Sequence, residues 1–439
     1  MSQAALLERR LAAIRAARVS FLVPRAAGAS LTGRETGAAR AERLAAAVGG
    51  EWLSGPGGHV VRVEPAAIPL PLLRARLASL PGQPPAQARL VCLDTETTGL
   101  GTAAGTLAFL MGLGWWEGDR FRQLQLLCPD HADEAALLAA VEAAIPPDAW
   151  LVTYNGRGFD WPLLVTRYRM LRRSAPAHAG MLDLLPQVRR LFRHRLGDAR
   201  LATVERHLLG VRRDGDVGGA EIPERYLAFI RGGSAAPLAP VVAHNAEDVR
   251  SLGRLLVHLD REYADPARRW LAPAGDLVAL ARGYTRERRH DAALACLEEA
   301  DAGWHAPPPR PGASAPGIAA AGAPVSRERI RAERARTLRR LGRPGEAAAA
   351  WQAIAVAGGP GSAQAWVEVA KVREHGLDDD HGALAATAAA EVAAERSRLL
   401  GLSDPSLRDA LAQRRRRLAA RLGRPGDGLP AADVPIAPR

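Results

Sequence analysis

The chain has 439 residues, a formal net charge of +12 and 48% hydrophobic residues. That length predicts two or three hydrophobic cores rather than one. No run of eighteen uncharged apolar residues occurs, so no membrane-spanning helix is expected.

Met1–Val19 has a helical apolar pattern (Leu6, Leu7, Leu11, Ile14) broken by Arg and Glu, and lacks the continuous apolar stretch of a secretory signal. Gly49-Gly-Glu-Trp-Leu and Gly58-His-Val-Val-Arg-Val-Glu64 predict a short hairpin. Residues 1–87 are therefore expected to form an N-terminal helix and small β extension. Pro81-Gly-Gln-Pro-Pro85 marks its end as a linker. Ala88-Arg-Leu-Val-Cys-Leu93 is a short apolar run of buried-strand type. Two more strand-like runs, Thr106–Trp116 and Arg120–Cys128, flank the turn Glu117-Gly-Asp119. A helix is predicted over Asp133–Ala144, a strand over Ala149–Tyr154 and a helix over Phe159–Met170. Consecutive strands followed by alternating helices and strands predict a mixed α/β sheet with flanking helices over 88–262.

Residues 266–300 and 326–422 are rich in Ala and Arg and helical throughout. His290-Asp-Ala-Ala-Leu-Ala, Pro344-Gly-Glu-Ala-Ala-Ala and Asp380-His-Gly-Ala-Leu-Ala each follow a turn-like break. The last two lie near the ~34-residue period of tetratricopeptide (TPR) helix pairs, and a plain helical bundle is the alternative. The expected layout is thus a TPR-like all-α domain over 266–422, a flexible Pro/Gly/Ala-rich insertion at 306–325 and a disordered tail at 423–439. A protein partner is expected to dock on this helical region.

Charge and cysteine usage bear on partners and setting. Nearly all positive charge is arginine, Lys371 being the single lysine, and twelve Arg between Val165 and Arg213 meet only Asp183, Asp198 and Glu205. Such a cluster is either a phosphate-attracting surface or a solvated helical face. Cys92, Cys128 and Cys296 have neither metal nor disulfide spacing, and an odd count suits a reducing cytoplasm.

The chemistry-bearing residues sit at element ends. Asp94 and Glu96, in Leu93-Asp-Thr-Glu-Thr-Thr-Gly-Leu100, share one face of a strand by period two. They are either an exposed strand end or a like-charged pair with a cation between them. Asn155-Gly-Arg-Gly-Phe-Asp160 leads into a helix, where Asp160 would cap the N-terminus or serve as a ligand. His244 and Asp248, in His244-Asn-Ala-Glu-Asp248, stand one helical turn apart, as a satisfied surface pair or as two groups aimed at one point.

In order and placement these blocks resemble the DEDD 3′–5′ exonucleases of the ribonuclease H-like superfamily, and most nearly the bacterial YprB-like ribonuclease H-like proteins. The resemblance covers about residues 88–260 and takes in Met181-Leu-Asp-Leu-Leu185, Arg200-Leu-Ala-Thr-Val-Glu205 and Ile222-Pro-Glu-Arg-Tyr226. It implies a ribonuclease H-like fold in which Asp94, Glu96, Asp160 and Asp248 hold two Mg²⁺ or Mn²⁺ ions for phosphodiester hydrolysis of single-stranded or frayed nucleic acid, DNA or RNA. A nucleic-acid-binding scaffold without turnover, and a structure-selective endonuclease on the same fold, are the alternatives.

One branch of those exonucleases sets a Tyr three intervening residues before the last Asp, the other a His with four. This chain has His at the tyrosine spacing. His244 is expected to position or deprotonate the attacking water, since an imidazole near pH 7 accepts protons better than a phenol. Thr97, Thr98 and Gly99 are expected against the terminal nucleotide, Asn155 either bonding its own turn or touching substrate, and Arg167, Arg172 and Arg173 on phosphates. Asp183 is expected to support the site. Asn245 is expected to face away, and Trp115, Trp116 and Trp161 to pack in the core.

Overall fold

The computed structural model describes residues 35–99, 105–213, 215–304, 325–399, 401 and 405–423. The helix expected at 1–19, the insertion at 306–325 apart from Val325, and the tail beyond Gly423 lie outside the described residues.

Strands β1 (Glu51–Gly55), β2 (Gly58–Val63), β3 (Ile68–Pro69), β4 (Arg89–Thr97), β5 (Ala108–Glu117), β6 (Arg120–Leu127), β7 (Ala149–Thr153) and β8 (Gly180–Asp183) form one mixed sheet. Its order is β1-β2-β6-β5-β4-β7-β8, with β3 pairing on β6. β4, β7 and β8 are parallel; the other pairs are antiparallel. The β1–β2 hairpin extends the same sheet through Val61 opposite Leu127, so the division expected near residue 88 falls inside a continuous sheet.

The helices of more than one turn in this part are α1 (Gly37–Val48), α2 (Glu134–Ala144), α3 (Asp160–Met170), α4 (Leu184–Phe192), α5 (Ile222–Ile230) and the long α6 (Ala239–Leu259). Period two along β4 divides its side chains between two cores. Val91 and Leu93 pack with α1, α2, α3 and α5. Leu90 and Cys92 pack with α4 and α6. Asp94 and Glu96 continue the second series and so face α6.

Helix α6 lies across β4, β5 and β6. Its close approach depends on Gly112 and Gly114 of β5. A Cβ at Gly112 would overlap the Asn245 side chain, and one at Gly114 would overlap Phe121 and Val249.

Beyond α6 the chain is helical: α7 (Ala274–Arg286), α8 (His290–Ala302), α9 (Arg327–Arg340), α10 (Pro344–Val356), α11 (Ser362–Gly376), α12 (Asp380–Leu399) and α13 (Pro405–Arg421). Sequential helices pack on one another along the series. The first pair shares the α4–α6 core through Leu277, Leu280, Tyr284 and Leu297. Asp276, fully buried, clamps the junction: it accepts from Tyr263 Oη at 2.6 Å and pairs with Arg195 at 2.9 Å and His194 at 3.1 Å. Among the described residues, two large cores, one on each side of the sheet, a third spanning α8–α12 and a small fourth of Val367, Ala390 and Leu411 account for the length. Among the described residues no helix is long and apolar enough to cross a membrane.

Candidate functional site

The parallel strands β4, β7 and β8 run in register, with Cys92 opposite Val152 and Thr153 opposite Asp183. Their carboxyl ends therefore share one edge of the sheet, the edge where open α/β sheets carry their ligands. Asp94 and Glu96 end β4, the Asn155–Phe159 turn follows β7, and Asp183 ends β8.

Asp160 opens α3 and is buried. Thr95 Oγ1 donates to its Oδ1, which ties the start of α3 to β4. The turn before it is held by Asp183. That carboxylate accepts from the backbone N–H of Asn155 at 2.8 Å, of Arg157 at 3.3 Å and of Leu185 at 3.1 Å. Asn155 takes a positive φ of 66° in this turn. With three backbone donors on it, Asp183 fixes the loop that delivers Asp160.

The third contribution comes from α6. Ligand atoms of Glu96, His244 and Asp248 lie within 4.8 Å of one another. His244 Nε2 is 3.6 Å from Asp248 Oδ2, while its Nδ1 is 2.8 Å from Asp216 Oδ1. Asp94 and Asp160 stand outside this close group, but the carboxylates of all three segments are near enough to act on one another electrostatically. Burial, followed by the charges of Asp248, Glu96 and Asp160, pushes the Asp94 carboxyl well above its usual range. Burial and the charges of Asp248, Asp160 and Asp216 do the same to Glu96. Burial also pushes Asp160 up to about 6, although the Thr95 hydrogen bond opposes it. Carboxyl groups that resist ionisation together are relieved by a bound cation, and hard oxygen donors suit Mg²⁺ or Mn²⁺. The donor set fits such an ion: carboxylates and an imidazole, with no cysteine among the group.

Asn245 corrects an expectation. It does not face away: it is fully buried, and its Nδ2 donates to Asp94 Oδ2 at 2.9 Å. Gln125 Nε2 donates to Asn245 Oδ1 at 2.9 Å and to Val242 O at 2.8 Å, which fixes the amide's direction. The physical reason is helix phase. Val241, Asn245 and Val249 form one i, i+4 row on the buried face of α6.

Sequence reasoning also missed Arg213. Its guanidinium donates to both Asp248 and Glu205, lies 3.2 Å from Asp216 Oδ2 and stands 3.4 Å from His244 Nδ1. Glu205 is itself buried and accepts from Ser251 Oγ at 2.6 Å. Arg213 stood in the sequence only as one arginine of a basic cluster, and nothing local distinguishes it there.

The predicted phosphate contacts divide. Arg167 is corrected: it is mostly buried in an ion pair with Glu134 of α2 and so is not the open surface cation that the sequence suggested. Arg173 pairs with Glu142 at 2.5 Å, and Arg172 is exposed at the end of α3. Arg189, Arg190 and Arg193 are exposed along α4 and just beyond it. Next to Glu96 the β4–β5 pairing shifts register. There Thr97 Oγ1 donates to Gly99 O at 2.6 Å, and Thr98 Oγ1 accepts from Leu107 N–H at 2.9 Å. Trp115, Trp116 and Trp161 pack against the cores.

Comparison with known proteins shows what part of the chain resembles. Residues 91–260 match the RNase_H_2 family model, described as RNase_H superfamily. Over this stretch the chain is similar to the ribonuclease H superfamily, and its mixed sheet has that fold. Over 213 residues the chain is 36% identical to "Uncharacterized protein YprB" of Bacillus subtilis (strain 168), covering 48% of this chain and 51% of that protein. The chain thus spans about half the length of this relative. The eight-stranded mixed sheet with flanking helices is the ribonuclease H-like part, and an all-helical region follows it. Both carboxylate-bearing strand ends and α6 fall within the matched residues.

Proposed function

We propose that this protein is a metal-dependent nuclease that hydrolyses phosphodiester bonds of single-stranded or frayed nucleic acid, acting from a 3′ end. The observation that carries the reading is the approach of Asp94, Glu96, Asp160 and Asp248 at the sheet edge, with burial holding three of them above the usual carboxylate range and the neighbouring carboxylates adding to it for Asp94 and Glu96. Two Mg²⁺ or Mn²⁺ ions held by these four residues would supply the Lewis acidity that activates water and offsets charge on the leaving oxygen.

The chain's own residues do the rest. Asn245 aims the Asp94 carboxylate, and Thr95 aims that of Asp160. His244 has its Nδ1 engaged by Asp216 and its Nε2 turned toward Asp248, which leaves Nε2 as the nitrogen to position water or accept a proton. Thr97, Thr98, Gly99 and Asn155 border the carboxylates and would receive the terminal nucleotide. The exposed Arg172, Arg189, Arg190 and Arg193 would contact phosphates without reading sequence. The helical series from α7 onward, read as TPR-like, would dock a protein partner in the cytoplasm.

A second reading has one observation in its favour. Arg213 already neutralises Asp248, as expected of a domain that binds nucleic acid without cleaving it. One experiment separates the two. Strands of DNA and RNA labelled at the 3′ or 5′ end are incubated with Mg²⁺, Mn²⁺ or EDTA, beside an Asp94→Ala/Asp160→Ala variant. Stepwise shortening from the 3′ end, lost in EDTA and in the variant, is the expected result. Internal cuts would mean an endonuclease on the same site, and metal-independent binding without cleavage would mean a scaffold.

A further inference from the structure

Arg213 is the cation of a site otherwise built from acids. Around it stand Asp248, Glu205 and Asp216 as hydrogen-bonded carboxylates, with the His244 ring beside them. Two of its four neighbours, Asp248 and His244, belong with Glu96 to the group whose ligand atoms lie within 4.8 Å of one another. A guanidinium and a divalent ion would therefore compete for the charge of the same Asp248 carboxylate.

Three features make the guanidinium the displaceable party. Its Nε is buried and finds no acceptor among the described residues, so its present seat leaves one donor unsatisfied. It lies on a segment bounded by Gly210 (φ 66°) and Gly215 (φ 70°), positions where glycine takes a left-handed backbone without strain. Glu205, anchored by Ser251, would keep hold of it after Asp248 lets go. At equal separation a doubly charged ion gains twice the Coulomb energy of a guanidinium against each carboxylate.

Resting on the nuclease reading above, we propose that Arg213 is the resident counter-ion of this centre: it holds Asp248 in the metal-free protein and is displaced toward Glu205 when a divalent cation loads. Arg213 is then a positioning residue that sets the threshold for metal entry and keeps the carboxylates from repelling each other apart before it. The contact that favours a retired site becomes the off-state of a working one.

Mn²⁺ binding to the full chain, followed by titration calorimetry, tests this without any turnover. Arg213→Gln alone would strand Glu205 as an unpaired buried carboxylate, so it is combined with Glu205→Gln, with Glu205→Gln alone as reference. Circular dichroism checks that each variant is folded. Competition predicts that the double variant binds Mn²⁺ roughly fivefold or more tightly than both the wild type and Glu205→Gln. Arg213→Lys, which keeps the charge but loses the fork, should lie between the wild type and the double variant. A purely structural Arg213 predicts the opposite sign, because a loosened Asp248 would bind the ion more weakly. Equal or weaker binding in the double variant therefore overturns the proposal while the nuclease reading stands. Absence of Mn²⁺ binding in the wild type and every variant overturns both.

Discussion

Asn245 on α6 and Asp94 on β4 are joined by a hydrogen bond of 2.9 Å across the helix–sheet interface, although 151 residues separate them in sequence. Gln125 on β6 orients the Asn245 amide from the other side, so three elements decide which way one carboxylate points. Only one oxygen of Asp94 is engaged this way, which leaves the other for a ligand. Gly112 is part of the arrangement, because any larger residue would collide with the Asn245 carbonyl.

Replacing Asn245 by Leu keeps the branched shape, in a somewhat larger side chain, and removes the donor. Leaving Asp94 Oδ2 and Gln125 without their amide partner should cost about 1–3 kcal/mol of stability. Metal affinity should fall as well, by roughly tenfold, the usual scale for losing a residue that orients a ligand. Gly112→Ala should reproduce the metal defect by pushing the amide aside. Calorimetric Mn²⁺ titration together with urea unfolding checks both. Full metal affinity in Asn245→Leu would show that Asp94 needs no such guide.

The carboxylates should be a burden on the fold until an ion arrives. In the metal-free protein, Asp94→Asn removes one member of a repelling group and keeps an oxygen for the Asn245 donor. Its stability should rise, because burial and the neighbouring carboxylates disfavour the charge that the substitution removes. Asp248→Asn should bring no such gain, because Asp248 already has the Arg213 guanidinium. Thermal melts in EDTA distinguish them. Cleavage should be lost in both variants, so that stability and activity move in opposite directions for Asp94.

Much of this was legible in the sequence because the signals are local. The alternation through Leu90, Val91, Cys92 and Leu93 assigns opposite faces, and it carries Asp94 and Glu96 onto the face that meets α6. One helical turn is enough to place His244 beside Asp248. The errors have the opposite character. Arg167 reads as a free cation until Glu134, 33 residues earlier, is folded against it. The β1–β2 hairpin reads as a small appendage because its pairing with β6 spans more than sixty residues. Asn245 alone had a usable local signal: a polar residue inside the Val241–Val249 apolar row of α6 needs a buried partner.

Asp183 provides a prediction about positioning without ligation. Its carboxylate accepts from three backbone N–H groups and leads the chain into α4 as the N-cap. Asp183→Ala should lose about 1 kcal/mol from the cap alone. More telling, it should release the Asn155–Phe159 turn and lower the cleavage rate, leaving KM nearly unchanged if substrate is held mainly by arginines elsewhere. Amide hydrogen exchange at Asn155 and Arg157 should speed up in the same variant. If exchange stays slow and the rate stays full, the turn is held by something other than Asp183.

The pH dependence follows from the direction of the shifts. Asp160 is raised from an ordinary carboxyl value of 3.8 to about 6 by burial, and Asp94 and Glu96 are raised as well. Between those two values the folded chain binds more protons than the unfolded chain, so the metal-free protein loses stability as pH rises through that window. For Asp160 alone the loss is on the order of 2–3 kcal/mol, complete once the pH exceeds about 6. Metal binding runs the other way, since the ligands must shed protons, and the stabilisation by Mn²⁺ should grow from pH 5 to pH 7.5. Melts of the wild type and Asp160→Asn at several pH values, each with Mn²⁺ or EDTA, isolate this group from the remaining titrations. In EDTA the variant's advantage over the wild type should widen as pH rises through about 6, then level off. A constant difference across that range would mean that Asp160 titrates as an ordinary carboxylate and that its burial does not raise it.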